Sequence, residues 1–206
     1  GLGKGVPVGQ IAMVPPTIDV TETGQQMVLD GVRFEFQLTP DTEAPAEMHF
    51  FFPAHNVLCL AENCTGTMHN VLTLRGAVVR DALGWSRYID EALERYGERV
   101  EVCFASHSWP RWGRADVVDH MTTQRDLYRW IHDETMRLAN LGYTPDEIAE
   151  EIELPPGLWA DWSCHGYYGT LSHNVRAVYQ RYLGWYDGHP SSLHPYPPVE
   201  SARRYV

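Results

Sequence analysis

The sequence predicts an α/β part followed by an all-helical part. Residues 32–38 alternate apolar and polar, the signature of a strand with two unlike faces. Further on, a helical pattern lies between two short apolar runs, as in a strand–helix–strand unit. From Arg114 onward no strand pattern follows, and one apolar stripe at helical spacing takes over.

Taken in order, residues 1–9 hold three glycines in the first five positions and read as a loop. A short apolar run at 11–14 stops at Pro15-Pro16. Residues 27–29, the turn Asp30-Gly31 and Val32–Leu38 read as a β-hairpin. In its second strand Val32, Phe34, Phe36 and Leu38 form the face expected to be buried. Arg33, Glu35, Gln37 and Thr39 form the face expected to be wet. Met48–Phe52 and 57–61 read as neighbouring strands. Across 74–97, Val78, Leu83, Trp85, Tyr88, Ile89, Ala92 and Leu93 approximate helical spacing, with Gly97 as the stop. Residues 100–105 (VEVCFA) read as a buried strand that ends at Ser106-His107, and SWPRWG reads as a turn.

The boundary to the helical part falls near Gly113. Val117, Met121, Tyr128, Ile131, Thr135 and Leu138 lie 4, 7, 3, 4 and 3 apart, one stripe of a long helix ending near Gly142. Thr144-Pro145-Asp146-Glu147 has the form of a capping box with proline in the first turn. It opens a short helix over 146–152. Helical segments around 158–165 and 172–185 follow, then a tail rich in Pro and His, and a last helix starting in SARRYV.

Composition narrows the functional classes. A formal net charge of −11 disfavours a general nucleic-acid or anionic-membrane surface. A helix-turn-helix reading of residues 144–156 fails for the same reason, since Asp146, Glu147, Glu150, Glu151 and Glu153 would face phosphates. No apolar run approaches the roughly 18–20 residues needed to span a bilayer. The four cysteines form no CxxC pair, and Cys59 and Cys103 read as small buried residues. Nothing in that pattern demands a disulfide, so the redox compartment stays open.

Three candidate ligands stand at strand ends: Glu43, Glu62 and His107. Carboxylate oxygen and imidazole nitrogen together suit a borderline divalent cation such as zinc. Their separations along the chain are long, so the residues alone also admit solvated loop carboxylates. Nine other histidines dilute the signal; His49, His120 and His132 among them read as packed or surface residues. Asn70 and Arg75 follow Glu62 closely, and an amide with a guanidinium fork suits a tetrahedral oxyanion. Arg75 equally suits a helix cap or a salt bridge. Trp109 and Trp112 suit an apolar channel or plain packing.

Five runs carry a resemblance: LTPDTEAPAEMHFFFP, LAENCTGTMHNVLTLRGAVVRDALGW, FASHSWPRWG, YTPDEIAEEIELPP and GYYGTLSHNVRAVYQRYLGWYDGHPSSLHPYPPVE. Together they resemble the alkyl sulfatases of the metallo-β-lactamase superfamily, hydrolases that act on sodium dodecyl sulfate. The likeness implies that residues 1–113 are the C-terminal half of a metallo-β-lactamase-like αββα sandwich. It implies that residues 114–206 are a helical dimerisation domain, hence a homodimer. It assigns Glu43, Glu62 and His107 to a two-zinc site, with Glu62 shared between the metals, and Asn70 and Arg75 to the sulfate group of an alkyl sulfate.

The sequence departs from the family pattern at Asp41, where Gly is usual, and at Gly66 and Ser108, where His is usual. The HxHxDH motif that supplies most ligands of the metal pair does not occur, and neither does the lipid-transfer-like C-terminal domain. The chain therefore reads as an internal fragment of a zinc-dependent sulfuric ester hydrolase. A companion chain carrying HxHxDH is one source of the rest of the site. Alone, the fragment is expected to be weakly active or inactive, because three ligands on half a scaffold lack preorganisation. The alternative is a non-catalytic, truncated dimerisation module. The expected location is the bacterial periplasm or the exterior, with the cytoplasm left open.

Overall fold

A computed structural model describes residues 12–206. The loop expected at 1–9 lies outside the described residues, as does Ile11 of the 11–14 run; residues 12–14 are exposed and irregular. Strands β1 (Gln26–Leu29) and β2 (Val32–Leu38) form the expected hairpin. Asp30 and Gly31 carry φ of 49° and 80°, the two left-handed positions a tight two-residue turn needs. β3 (Met48–Phe52) and β4 (Val57–Cys59) continue the sheet antiparallel. β5 (Val102–Phe104) joins β4 in parallel, and β6 (Arg111–Trp112) closes the edge antiparallel. The result is one six-stranded mixed sheet in sequence order.

The parallel step requires a crossover, and α1 (Ala82–Tyr96) provides it. Helix α1 starts eight residues later than the 74–97 pattern predicts, at the Asp81 cap, which accepts from the Gly84 amide at 3.0 Å. The residues before it form an irregular segment, where Gly76 has φ of 90° and Leu74 and Val78 are exposed. Trp85, Ile89, Ala92 and Tyr96 form the buried stripe of α1.

Alternation separates the two faces of β2 as expected, and Phe36 of the predicted face is buried, but the more deeply buried side is the other one. Gln37 and Thr39 are fully buried, while Phe34 and Leu38 are only half-buried. The reason is that α1 covers the Gln37 side, where the Gln37 amide donates to the Tyr88 carbonyl at 2.9 Å and Phe51 stacks on Tyr96. The opposite face carries Phe34, Phe36, Phe50 and Phe52, with neighbouring ring centroids 4.8 to 6.5 Å apart.

Helix α2 (Arg114–Asn140) is 27 residues long, and all six residues of its predicted stripe are buried. α3 (Pro145–Glu151) has the predicted capping box: the Thr144 amide donates to the Glu147 carboxylate at 2.8 Å, and the Glu147 amide donates to the Thr144 hydroxyl at 3.3 Å. The single helix expected at 158–165 is two short turns instead, α4 (Pro156–Trp159) and a 3₁₀ turn (Trp162–Cys164), because Asp161 caps the second and interrupts the first. α5 (Leu171–Leu183), α6 (Pro190–Leu193) and α7 (Pro198–Tyr205) complete the chain. One hydrophobic cluster runs from Phe51 and Leu58 of the sheet through Trp85 and Ile89 to Met121, Tyr128 and Val178. A smaller one joins Leu138, Ile148, Ile152 and Val175. All four cysteines are free and buried. Among the described residues, no helix is long and apolar enough to cross a membrane.

His49 lies wholly inside this core. Its Nδ1–H donates to the Gln37 side-chain oxygen at 3.1 Å, and its Nε2 accepts from the Asn63 amide at 2.9 Å. That neutral tautomer satisfies both contacts. Burial lowers its pKa from 6.5 to about 3. Burial likewise lowers that of His120 to about 4, with the Arg111 charge adding to the effect. The unfolded chain takes up these protons near the ordinary imidazole value, so stability present at pH 7 is lost as pH falls below about 6.5. For His49 alone the loss between pH 7 and 5 is about 2 kcal/mol. Urea unfolding at the two pH values should therefore show a lower midpoint at pH 5 and a smaller difference in His49→Gln. An unchanged wild-type midpoint would contradict the neutral assignment.

Candidate metal centre

The chain places the candidate site where β4 and β5 end. After β4 the Leu60 amide still bonds the Phe104 carbonyl, and then Ala61 turns the chain with φ of 49°. The Ser106 amide donates to the Ala61 carbonyl at 2.7 Å, which brings His107 beside Glu62. The Glu62 amide donates to Glu47 at 3.3 Å. Next to it, Asn63 is pinned: its amide donates to His49 and Thr39, and its carbonyl accepts from the Trp85 indole at 2.8 Å. A carboxylate whose immediate neighbour is locked on several sides has little freedom to wander.

The segment then runs irregularly to His69. The His69 amide donates to the Tyr128 hydroxyl at 3.1 Å, and its carbonyl accepts from the Asn174 amide at 2.9 Å. Gly169 packs so closely here that a Cβ on it would lie 2.7 Å from the His69 carbonyl carbon. His69 is thus held between α2 and the start of α5.

Glu62, His69 and His107 meet. One Glu62 oxygen lies 3.1 Å from His69 Nε2, the other 2.9 Å from His107 Nε2. One ligand atom from each residue falls within 4.8 Å of the others. His69 is buried, while His107 is more than half exposed. The His69 Nδ1 lies 2.9 Å from the Asn70 carbonyl. Arg80 Nη1 lies farther from the same nitrogen, at 3.4 Å; the carbonyl is the nearer partner and only accepts, which assigns the hydrogen to Nδ1 and leaves Nε2 to present a lone pair to the carboxylate. Two acceptors at that distance repel unless a cation lies between them.

A proton or a metal could be that cation. Burial pushes the His69 pKa down, and the Arg80 charge adds to it, against the opposing pulls of the Asn70 carbonyl and Glu62. Burial thus works against the imidazolium that a simple ion pair needs, and the two imidazoles and one carboxylate are a donor set that fits a metal. Two imidazole nitrogens and a carboxylate, with the second nitrogen of a ligating histidine tied to a carbonyl, match the habits of zinc and its neighbours.

Of the sequence candidates, Glu62 and His107 come together. Glu43 stands beside them but outside the triad: its carboxylate pairs with the Arg80 guanidinium, and its carbonyl accepts from Arg80 Nε at 2.8 Å. Asn70 is buried, with its side-chain oxygen accepting from Arg80 Nη1 at 2.8 Å. Arg75 is exposed; it shares with Asn70, Leu72, Leu74, Tyr168 and His173 a groove of about 430 Å³. Tyr168 joins that groove to the triad, its ring edge-on to His69 at 4.8 Å. Trp109 and Trp112 are largely exposed. His69 and Arg80 are not among the ligands assigned from the sequence. The cue to His69 is its place in the loop after Glu62, which is rich in Asn, Thr and His.

The family departures have local consequences. Asp41 has φ of 62°, a conformation that favours glycine, and its carbonyl accepts from the Asp81 amide at 2.8 Å. Gly66 and Ser108 face each other: a Cβ on residue 66 would lie 2.8 Å from Ser108 Cβ and 2.9 Å from its Oγ. Ser108 itself has φ of 72°.

The class is that of an α/β protein carrying a metal-type donor triad at its strand ends, followed by helices. The chain is closely similar, along its whole length, to part of the alkylsulfatases. Residues 144–206 match the family model described as alkyl sulfatase dimerisation. A linear primary-alkylsulfatase of Pseudomonas sp. is 48% identical over all 206 residues, which cover 31% of that protein. An alkyl/aryl-sulfatase of Saccharomyces cerevisiae, BDS1, is 47% identical over the whole chain and 32% of its own length. The solved structure of the stereoselective inverting sec-alkylsulfatase Pisa1 from Pseudomonas sp. superposes with a TM-score of 0.91 at 47% identity, covering 94% of this chain and 31% of that one. The chain thus spans about a third of the length of the relatives it matches.

The contact between residues 66 and 108 makes a test. Gly66→Ala should destabilise the chain by about 1–3 kcal/mol through overpacking. Ser108→Gly in the same chain should recover most of that loss, since it removes the opposing Cβ and suits the positive φ. Chemical denaturation of the two single variants and the double variant measures the coupling; additive effects would contradict the contact.

Proposed function

We propose that this chain is part of a zinc-dependent alkylsulfatase that hydrolyses alkyl sulfate esters, using water to release an alcohol and sulfate. The observation that carries the reading is the triad of Glu62, His69 and His107 in a chain 47–48% identical to alkylsulfatases. Glu62, His69 and His107 would hold zinc, and the Glu43 carboxylate is offered beside them. A complete site has two zinc ions in this reading. Its further ligands come from an HxHxDH motif outside this sequence, in a longer form or a companion chain. Zinc bound there supplies Lewis acidity, offsetting the sulfate charge and acidifying water.

The chain's own groups do the rest. The Asn70 side-chain oxygen is occupied by Arg80, which leaves its NH₂ to donate to a sulfate oxygen. The Arg75 fork supplies positive charge that an otherwise acidic protein needs to attract an anionic ester. Leu72 and Leu74 line the same groove and suit the alkyl chain. The Tyr168 ring covers part of His69 and limits water there. Residues 1–113 are, in this reading, half of a metallo-β-lactamase-type sandwich, and residues 114–206 form the homodimer contact.

A non-catalytic dimerisation module is the competing reading, favoured by the commitment of Glu43 to Arg80. Metal analysis separates the two. The purified chain should retain or take up zinc, and Glu62→Gln or His69→Ala should lower its content sharply. Sulfate release from dodecyl sulfate should be slight for the chain alone and rise when the HxHxDH segment is supplied. A chain that takes up no zinc with or without that segment would sink the enzyme reading. Sedimentation at micromolar concentration should show a dimer; a monomer would count against the role of residues 114–206.

A further inference from the structure

We propose that Arg80 is a positioning residue of the metal centre, acting on His69 through the Asn70 carbonyl and directly on Glu43. The inference rests on the metal reading above. Arg80 is 6% exposed, and its guanidinium is spent on groups that border the triad. Nη1 donates to the Asn70 carbonyl at 2.9 Å and to the Asn70 side-chain oxygen at 2.8 Å. Nε donates to the Glu43 carbonyl at 2.8 Å, and Nη2 pairs with one Glu43 carboxylate oxygen.

The Asn70 carbonyl is the hinge of this arrangement. It accepts from His69 Nδ1–H and from Arg80 Nη1–H, one for each lone pair. Arg80 fixes where that carbonyl stands; the carbonyl fixes the imidazole; the imidazole then aims Nε2 at Glu62. The planar guanidinium does this in a way a point charge cannot, because Nη1 must reach both Asn70 oxygens while Nε and Nη2 reach the carbonyl and carboxylate of Glu43 on the other side. On its other side the same guanidinium holds one oxygen of Glu43.

The backbone is tied at the same place. The Arg80 amide donates to the Val71 carbonyl at 2.9 Å, and the Asp81 amide donates to the Asp41 carbonyl at 2.8 Å. Arg80 therefore joins the loop carrying Glu43 to the segment carrying Glu62 and His69. Partners one step removed from a metal typically change its affinity 10- to 100-fold.

The test measures Co²⁺ and Zn²⁺ affinity by chelator competition on the full 206-residue chain and its Arg80→Lys and Arg80→Met variants. Both variants should bind roughly 10- to 100-fold more weakly. Lysine keeps the charge, so a wild-type affinity in Arg80→Lys would overturn the role of the fork, and tighter binding in Arg80→Met would overturn the proposal outright. The Co²⁺ visible spectrum should change in Arg80→Lys, with thermal unfolding of the metal-free chains as the control for folding. Nitrogen NMR of the histidines reads the anchoring without metal. Wild-type His69 should carry its hydrogen on Nδ1, and Arg80→Lys should lose that fixed tautomer. Hydrogen on Nε2 in the wild type would refute the proposal even if both variants fail to fold. If the wild type takes up no metal, the metal reading fails separately, and the tautomers still decide whether Arg80 anchors the ring.

Discussion

The stack of Trp85 on Tyr128, with ring centroids 4.7 Å apart, is the contact on which the site depends. It lies at the centre of the packing of α1 on α2, and both rings are wholly buried. Each ring also has a polar atom that must be satisfied inside the protein. The Trp85 indole donates to the Asn63 carbonyl, and the Tyr128 hydroxyl accepts from the His69 amide. One apolar contact between two helices thereby holds the residue next to Glu62 and the backbone of His69. Burial drives the Tyr128 pKa far up, so the phenol keeps its proton.

The segment between β4 and α1 needs this support because it has no ladder of its own. Irregular backbone inside a protein must find partners one group at a time. Here α5 provides several. Asn174 accepts from the Val71 amide and donates to the His69 carbonyl, doing with one side chain what a neighbouring strand does with a peptide. His173 bonds the Leu72 carbonyl, and Arg181 bonds the Val79 carbonyl at 2.7 Å. The helices after Gly113 are therefore part of the wall that shapes the loop carrying Glu62 and His69, and the hydrophobic core continues across that position.

Local signals were legible in the sequence and long-range ones were not. The Asp30-Gly31 turn, the capping box at Thr144 and the stripe of α2 are each set within a few residues, and each appears as expected. Glu62 and His107 stood out because both follow apolar runs, and parallel pairing of β4 with β5 does bring their strand ends side by side. His69 was missed because its place is fixed by Tyr128 and Asn174, 59 and 105 residues away. Arg80 was missed for a related reason: an arginine just before a helix looks like a surface charge until its partners 10 and 37 residues back are known. The buried side of β2 was misassigned because alternation gives two faces but does not say which one a helix will cover.

The cysteines carry a last consequence. All four are interior, and burial raises the thiol pKa of Cys103 to about 11 and of Cys164 to about 12. Such sulfurs hold almost no thiolate, the form that oxidants and partner thiols attack. While the chain stays folded, these four thiols are therefore poor partners for disulfide exchange.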